Sequence, residues 1–180
     1  MKHDLKKEIV IPAGIKAAKR GNHLQLQGPT GEVEQDFFHP LVQVAVAGDK
    51  IIVTAKKSTK REKTMVGSFV AHLRNMVRGV QELHIYKLKI CSGHFPMSVS
   101  VQGNEFVVKN FLGESVPRRI SVVPNVTVKV NDKEVLISSP DKAAAGQMAA
   151  RVEGLCRITN RDLRIFMDGI WLTDKAGKMV

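Results

Sequence analysis

The chain has 180 residues, of which 43% are apolar, 25% charged and 5% aromatic. This composition is sufficient for one or two packed domains, and it excludes a wholly disordered chain or a collagen. There are 28 Lys and Arg residues against 17 Asp and Glu, which gives a formal net charge of +11 at pH 7. A positive excess of this size favours polyanionic partners.

The sequence disfavours both membrane insertion and export. The longest apolar runs, such as residues 42–47, are far shorter than the ~20 residues that a membrane-spanning helix needs. The first residues do not lead into an apolar stretch with a small-residue cleavage site, so we expect no secretory signal. Cys91 and Cys156 have no partners at metal-ligand spacing, and we predict two buried thiols.

An internal repeat organises the chain. Residues 40–53 match residues 124–137, with a proline, three valines and three aliphatic residues in register. Residues 24–32 match 106–114, and residues 69–80 match 144–155. We therefore predict an α+β fold with two duplicated domains, residues 1–81 and 82–180. Each would be a small antiparallel sheet packed against one amphipathic helix.

Short strands are predicted to precede the helix in each repeat. Residues 24–32 and 106–114 both predict a strand, a tight turn and a second strand. This makes the Gly-Pro-Thr-Gly run at residues 28–31 a simple turn. The following strand pair turns at Gly48 and Asp49 in the first copy, and at Asn131 and Asp132 in the second.

Both helices are predicted from apolar residues at steps of three and four. Thr59 and Glu62 at the start of the first helix have the spacing of a capping box. The second helix is predicted to begin with Ser139 as its N-cap and Pro140 at its first helical position, where proline's missing amide costs nothing.

Cations are concentrated in two groups. The first has five cations in residues 56–63, between the last strand and the helix of the first repeat. They could neutralise phosphates, although a solvated charged loop is an alternative; the candidates are Lys57, Lys60 and Arg61. The second group follows the second helix, in a segment without a counterpart in the first repeat, so duplication does not explain it. Its members are Arg157, Arg161, Arg164, Lys175 and Lys178.

The scarcity of aromatic residues indicates the kind of nucleic acid. Phe69, Phe106 and Phe111 are predicted to lie on core faces, which leaves few rings for stacking on bases. Duplex or folded RNA, held through its phosphates and its shape, fits this composition better than single strands. Arg118 and Arg119 are neighbours in a predicted strand, so at most one of them would contact a given ligand surface.

The sequence provides little support for catalysis. No glycine-rich phosphate-binding loop or dinucleotide fingerprint occurs, and the six histidines show no metal-ligand spacing. Ser92 and His94 could form a nucleophile and base pair, but no orienting acid lies near them in the sequence. We predict neither a catalytic residue nor a metal site.

Four sequence runs carry a resemblance to a known family. They are Asn-Met-Val-Arg-Gly-Val at 75–80, His-Phe-Pro at 94–96, Asn-Phe-Leu-Gly-Glu at 110–114, and Arg-Ile-Phe-Met-Asp-Gly-Ile at 164–170 followed by Lys175. With them, nearly the whole chain resembles the large-ribosomal-subunit protein L-six family, called L-nine in eukaryotes, in its archaeal form. Trp171 stands where relatives usually carry tyrosine. The Tyr-Lys-Gly-Lys-Gly run of the bacterial branch is absent.

The resemblance implies a fold, partners and a site. Family members have two similar domains, and they bind large-subunit rRNA near the sarcin-ricin stem, close to the translation-factor site and the stalk base. The implied protein is a structural component of the cytoplasmic ribosome. Its partners would be large-subunit rRNA and neighbouring large-subunit proteins, with no enzymatic activity, cofactor, membrane or small-molecule substrate. RNA contact is implied for His94, Arg161, Arg164 and Lys175, and we extend it by charge to Arg157 and Lys178. We expect Asp168 and Gly169 to form a turn that aims these cations.

Two other functions remain open from the residues. A free-standing protein that binds DNA or messenger RNA would share the charge, but it would not sediment with large subunits at high salt. An RNA-processing enzyme would need a convergent acid and base with perturbed pKa values, and would cleave or modify rRNA.

Overall fold

The computed structural model describes residues 3–179. The chain divides into two compact units, the first ending at Leu83 and the second beginning at His84. Each unit contains one long helix and two antiparallel sheets. The predicted α+β class and duplicated architecture are therefore confirmed, with two small sheets in each unit rather than one.

In the first unit, six strands precede one helix. They form two three-stranded antiparallel sheets, with strand orders β1-β6-β5 and β2-β3-β4. The elements are β1 (His3–Val10), β2 (Lys16–Arg20), β3 (His23–Gly28), β4 (Gly31–Asp36), β5 (Val42–Ala47), β6 (Lys50–Ser58) and α1 (Lys60–Gln81).

Helix α1 begins as the sequence predicts. The Glu62 carboxylate accepts a hydrogen bond from the Thr59 amide at 2.6 Å, and the Thr59 side chain accepts from the Glu62 amide, which completes the capping box; the Thr59 hydroxyl also donates to the Glu62 carboxylate. These bonds hold the pKa of Glu62 below its ordinary value. The predicted apolar stripe is buried from Val66 to Val80 and faces the core of the first unit, while Arg74 is exposed.

The run at residues 28–31 is a hairpin turn, as predicted, and it packs against the end of α1. Thr30 donates from its hydroxyl to the Gly79 carbonyl at 2.7 Å and from its amide to the Val80 carbonyl at 3.3 Å. A Cβ atom at Gly28 would lie 2.5 Å from the Val80 carbonyl oxygen. The helix backbone therefore leaves room only for glycine at this position.

The second unit has a three-stranded sheet of order β10-β9-β8 and a five-stranded sheet of order β11-β12-β7-β13-β14. Helix α2 packs against β7, β12 and β13. The elements are β7 (His84–Cys91), β8 (Ser98–Gln102), β9 (Glu105–Lys109), a 3-10 turn (Phe111–Gly113), β10 (Arg118–Ser121), β11 (Thr127–Asn131), β12 (Glu134–Ser139), α2 (Lys142–Leu155), β13 (Gly169–Lys175) and β14 (Lys178–Met179).

Two local predictions for the second unit are wrong. In residues 106–114 the first strand and the turn are present, as β9 and the 3-10 turn with its buried Phe111, but the second strand does not follow directly: β10 begins only at Arg118. The N-cap of α2 is Asp141, whose carboxylate accepts from the Ala143 amide at 2.8 Å. The Ser139 hydroxyl, expected to be the cap, is buried and donates to the Asn125 carbonyl instead.

The two cysteines have different surroundings. Cys156 is buried, as predicted, and burial raises the pKa of its thiol to about 11. Cys91 is only half-buried because it lies at the end of β7, so the prediction for this residue is wrong. Both are free thiols. No helix within residues 3–179 combines the length and the apolar character needed to cross a membrane.

The β1-β6-β5 sheet of the first unit and the five-stranded sheet of the second unit differ at one edge. In the second unit, β13 pairs with the outer edge of β7, whereas no strand within residues 3–179 pairs with the corresponding edge of β1. Lys7 lies opposite Val53 as Tyr86 lies opposite Ile137, and the repeat aligns Val53 with Ile137. Lys7 thus occupies the place of the buried Tyr86. Lys7 itself is exposed, and a charged side chain on an edge strand discourages further strand pairing.

Candidate RNA interface

Three of the nine candidate residues, Arg157, Arg161 and Arg164, lie in the segment that joins α2 to β13, residues 157–168. The buried Cys156 anchors its start, and Gly169 begins the strand that follows. A turn shapes its middle, because the Asp162 carbonyl accepts from the amides of Ile165 at 3.1 Å and Phe166 at 2.9 Å. The segment is therefore a fixed turn that presents its side chains outward from the second unit.

Arg164 lies on this turn and faces solvent. Its side chain is 90% exposed, although its guanidinium contacts both carboxylate oxygens of Asp162, with the shortest distance 2.7 Å. The hydrogen bonds from Arg164 lower the pKa of Asp162. An exposed pair of this kind is weak in water. The guanidinium is therefore oriented and still available to a phosphate.

Arg161, Phe166 and His94 form a stack. The guanidinium carbon of Arg161 lies 4.8 Å from the centroid of the Phe166 ring. The Phe166 ring stacks on the His94 imidazole with centroids 4.6 Å apart and planes at 24°. Packing on a half-buried ring restricts the rotamers of a cation and an imidazole that both remain exposed.

Asp168 joins this stack to the turn at residues 93–94. Its buried carboxylate accepts from the Gly93 amide at 2.5 Å and the His94 amide at 3.1 Å, and its other oxygen lies 2.6 Å from Nδ1 of His94. Burial raises the pKa of Asp168, but these hydrogen bonds outweigh it and leave the pKa below its ordinary value. The turn expected at Asp168 and Gly169 is absent, because Gly169 is already the first residue of β13; Asp168 instead holds His94.

Trp171 follows on β13 and retains a hydrogen bond. Its indole nitrogen donates to the Met167 carbonyl at 3.1 Å, and its ring packs against the backbone at Gly169. The indole therefore braces the end of the segment from the sheet side, although the tyrosine hydroxyl of relatives is lost.

Lys175 and Lys178 lie elsewhere on the second unit. They are exposed and face each other across the β13–β14 hairpin. Strand β13 has seven residues, so Lys175 lies about 20 Å along the strand from Gly169. The structure therefore separates the predicted site into a cluster at one end of β13, with His94, Arg161 and Arg164, and a lysine pair at the other.

Arg157 and Arg118 lie at the end of α2 and have different roles. Arg157 is exposed; its backbone carbonyl accepts from Arg118 at 3.4 Å and its amide donates to the Gly154 carbonyl at 3.2 Å. Arg118 also donates to the Leu155 carbonyl at 2.7 Å, pairs with Glu114 and packs over Phe111 at 4.3 Å. Arg118 is therefore a brace for the helix end, and Arg157 is the cation that faces solvent.

The first-unit candidates surround the start of α1. Lys57, Lys60 and Arg61 are exposed, and Lys57 has a left-handed backbone whose amide donates to Asp4 at 2.8 Å. Lys60 and Arg61 occupy the first turn of the helix, where the positive end of the helix dipole disfavours cations. Helix stability therefore does not explain their presence.

Sequence reasoning did not identify Asp168 as the acid that orients His94, or Phe166 as the ring between His94 and Arg161. Asp168 lies 74 positions from His94, so only the pairing of β13 with β7 brings the two together. No orienting acid lies near Ser92 and His94 in the sequence, but in the structure the distant Asp168 contacts His94. Within residues 3–179, however, no hydrogen bond joins Ser92 to His94.

The fold and this surface define a class of protein: a duplicated α+β chain that presents exposed cations from braced turns. Comparison with known proteins identifies the family. The family model for ribosomal protein L6 matches residues 11–83 and 95–169, one match for each repeat. The chain therefore belongs to the ribosomal protein L6 family.

Archaeal relatives match nearly the whole chain. Large ribosomal subunit protein uL6 of Nanoarchaeum equitans is 41% identical, covering 98% of this chain and 96% of the relative. The proteins of the same name from Methanococcus vannielii and Haloarcula marismortui are 36% and 34% identical, covering 98% and 95% of this chain and 97% and 96% of the relatives. These relatives are ribosomal proteins and not enzymes, in agreement with the prediction from the sequence.

Proposed function

We propose that this protein is a structural component of the large ribosomal subunit and binds large-subunit rRNA near the sarcin-ricin stem and the translation-factor site. Its RNA-binding residues would be His94, Arg157, Arg161, Arg164, Lys175 and Lys178 in the second unit, with Lys57, Lys60 and Arg61 in the first. The observation that carries the proposal is that these cations are exposed, while the turns that hold them are braced by buried or stacked groups.

The chemistry suits recognition of the RNA backbone. Arginine offers a planar fork of donors to phosphate oxygens, and lysine adds a point charge. Fixed spacing between such donors selects the shape of a folded RNA with few contacts to bases. Three large apolar side chains in residues 157–168 are also exposed, namely Leu163, Ile165 and Met167. Their exposure supports contact with neighbouring large-subunit proteins at the stalk base.

The salt dependence of binding tests this mechanism. The full chain is titrated against an rRNA fragment that contains the sarcin-ricin stem, over a range of KCl concentrations. If ~5 to 8 phosphates are neutralised, the logarithm of affinity should fall with the logarithm of salt at a slope of about −4 to −7. A slope flatter than about −2 would contradict the proposal.

A matched pair of variants tests the assignment of residues. Arg164→Ala should weaken binding by at least about 10-fold and reduce the salt slope by about 1, because it removes one charged contact to phosphate. Arg74→Ala makes the same change on the exposed face of α1 and should have little effect. Equal effects of the two variants would show that Arg164 contributes only to the net positive charge and makes no specific contact with a phosphate.

Ultraviolet crosslinking of assembled subunits tests the location. Crosslinks from residues 157–178 to the sarcin-ricin stem are expected, together with protein crosslinks at the stalk base. Crosslinks to messenger RNA alone, or failure to sediment with large subunits at high salt, would favour a free-standing nucleic-acid-binding protein.

A further inference from the structure

His94 is held in one orientation. Its Nδ1 atom lies 2.6 Å from Oδ2 of Asp168, its amide donates to Oδ1 of the same carboxylate, and its ring stacks on Phe166. The side chain is nevertheless 39% exposed. Within residues 3–179, no group forms a hydrogen bond with Nε2. The ring therefore presents one unpaired nitrogen from a fixed position.

Asp168 determines which nitrogen carries the proton. The carboxylate accepts two backbone hydrogen bonds besides the contact with His94, and these favour its ionised form. An ionised carboxylate can only accept hydrogen bonds, so Nδ1 must be the nitrogen that donates to it. In a neutral imidazole the other nitrogen, Nε2, then has a free lone pair and acts as an acceptor.

An acceptor among cations discriminates between the groups of a nucleic-acid backbone. Phosphate oxygens are themselves acceptors, so the lone pair of the imidazole cannot bind them. Arg161 and Arg164, in residues 157–168, can donate to phosphates instead. The ribose 2′-hydroxyl can donate, and only RNA carries it. The rigid ring adds little entropic cost to such a hydrogen bond, because stacking and the Asp168 contact already fix it.

We propose that Nε2 of His94 accepts a hydrogen bond from a ribose 2′-hydroxyl, which makes this surface selective for RNA over DNA of the same sequence. The inference rests on the proposed function, since it requires that this surface binds RNA. Asp168 and Phe166 act as positioning residues that hold the ring.

A scan of single 2′-deoxy substitutions tests the inference. The full chain is titrated at pH 8 against the sarcin-ricin-stem fragment with one 2′-hydroxyl removed at a time. At one or two positions the wild-type protein should lose about 3- to 10-fold in affinity, the effect of one hydrogen bond. If the affinity of the wild-type protein does not change when any single 2′-hydroxyl is removed, this result alone overturns the inference.

His94→Asn identifies the residue responsible. The asparagine amide can donate to Asp168 in place of Nδ1, but it has no atom at the place of Nε2. This variant should bind the unmodified fragment about 3- to 10-fold more weakly and lose its sensitivity at the same nucleotide. His72→Asn is the matched control, because His72 is exposed on α1 and the chemical change is the same. Circular dichroism verifies that both variants fold.

The outcomes separate this inference from the proposed function. If His94→Asn folds and keeps the wild-type sensitivity to 2′-deoxy substitution, His94 is not the acceptor, while RNA binding stands. If a methylphosphonate at one position weakens the wild type but not His94→Asn, and no 2′-deoxy substitution has an effect, His94 donates to a phosphate, which also overturns the inference. If the wild-type protein does not bind the fragment at all, the proposed function itself fails.

Discussion

Replacement of Asp168 by alanine should destabilise the second unit. The carboxylate receives hydrogen bonds from two backbone amides and from His94, and it connects the turn at residues 93–94 to the start of β13. Hydrogen bonds to a charged group contribute about 1.5 to 3 kcal/mol each. Part of this stabilising free energy is recovered in the variant, because the cost of burying a carboxylate disappears and water can form hydrogen bonds with the amides of the exposed turn.

The expected loss is therefore about 2 to 4 kcal/mol in the free energy of unfolding of the second unit. For a domain of this size, such a loss lowers the melting temperature by roughly 10 to 25 °C. The assay is urea denaturation followed by tryptophan fluorescence. Trp171 is the one tryptophan of the chain and lies in β13, so its emission reports on the second unit.

Asp36→Ala provides a matched control in the first unit. Asp36 also contacts a histidine, His23, at 2.5 Å, but both side chains are more than 60% exposed. An exposed pair contributes less than about 1 kcal/mol, and the tryptophan transition should not change. A loss below about 0.5 kcal/mol for Asp168→Ala would refute the reasoning, since it would place this substitution in the same range as ordinary surface substitutions.

The effect of Asp168 should also depend on pH. Its pKa is lower in the folded protein than in the unfolded chain, so its stabilising contribution is complete above the unfolded pKa and is lost as the pH falls through the folded one. The difference in unfolding free energy between wild type and Asp168→Ala should therefore be constant near neutral pH and shrink in acid. A difference that grows in acid would contradict the assignment.

Gly28→Ala should destabilise the first unit by about 1 to 3 kcal/mol in thermal denaturation, because the added Cβ would collide with the Val80 carbonyl. The control Gly67→Ala, in open space on α1, should stabilise the first unit by up to about 1 kcal/mol. An unchanged stability of Gly28→Ala would contradict the close approach of Gly28 to the Val80 carbonyl. Lys7→Tyr should make the chain self-associate in sedimentation experiments, because it removes an exposed charge from the edge strand β1, on the face that carries the buried Ile9. Lys6→Tyr changes the opposite face of that strand and should stay monomeric; equal behaviour of the two would contradict this reading.

The elements that the sequence predicts correctly depend on neighbours close in the chain. The helix beginning at Thr59, the hairpin turn at Gly48 and Asp49, and the turn at residues 28–31 are all specified by short-range hydrogen bonds and by apolar periodicity. The internal repeat adds the two-domain organisation, because each copy carries the same alternation of strands and the same helical stripe.

The local predictions that fail involve groups satisfied from a distance. The Ser139 hydroxyl reaches the Asn125 carbonyl rather than the start of α2, and the second strand expected directly after the turn at Phe111 begins only at Arg118. The guanidinium of Arg118 donates to the Leu155 carbonyl at the end of α2, so it braces the helix end. Each of these contacts joins residues that are far apart in the sequence.

Sequence alone determined the excess of cations, the duplication and the family resemblance, since composition and periodic burial are properties of the linear chain. It also selected the exposed arginines of residues 157–164. Only the tertiary structure decided that Asp168 orients His94, that Phe166 lies between His94 and Arg161, and that Lys175 and Lys178 lie at the far end of β13. The physical reason is that hydrogen bonds and ring contacts act over a few ångströms, and strand pairing alone brings residues 74 positions apart within that range.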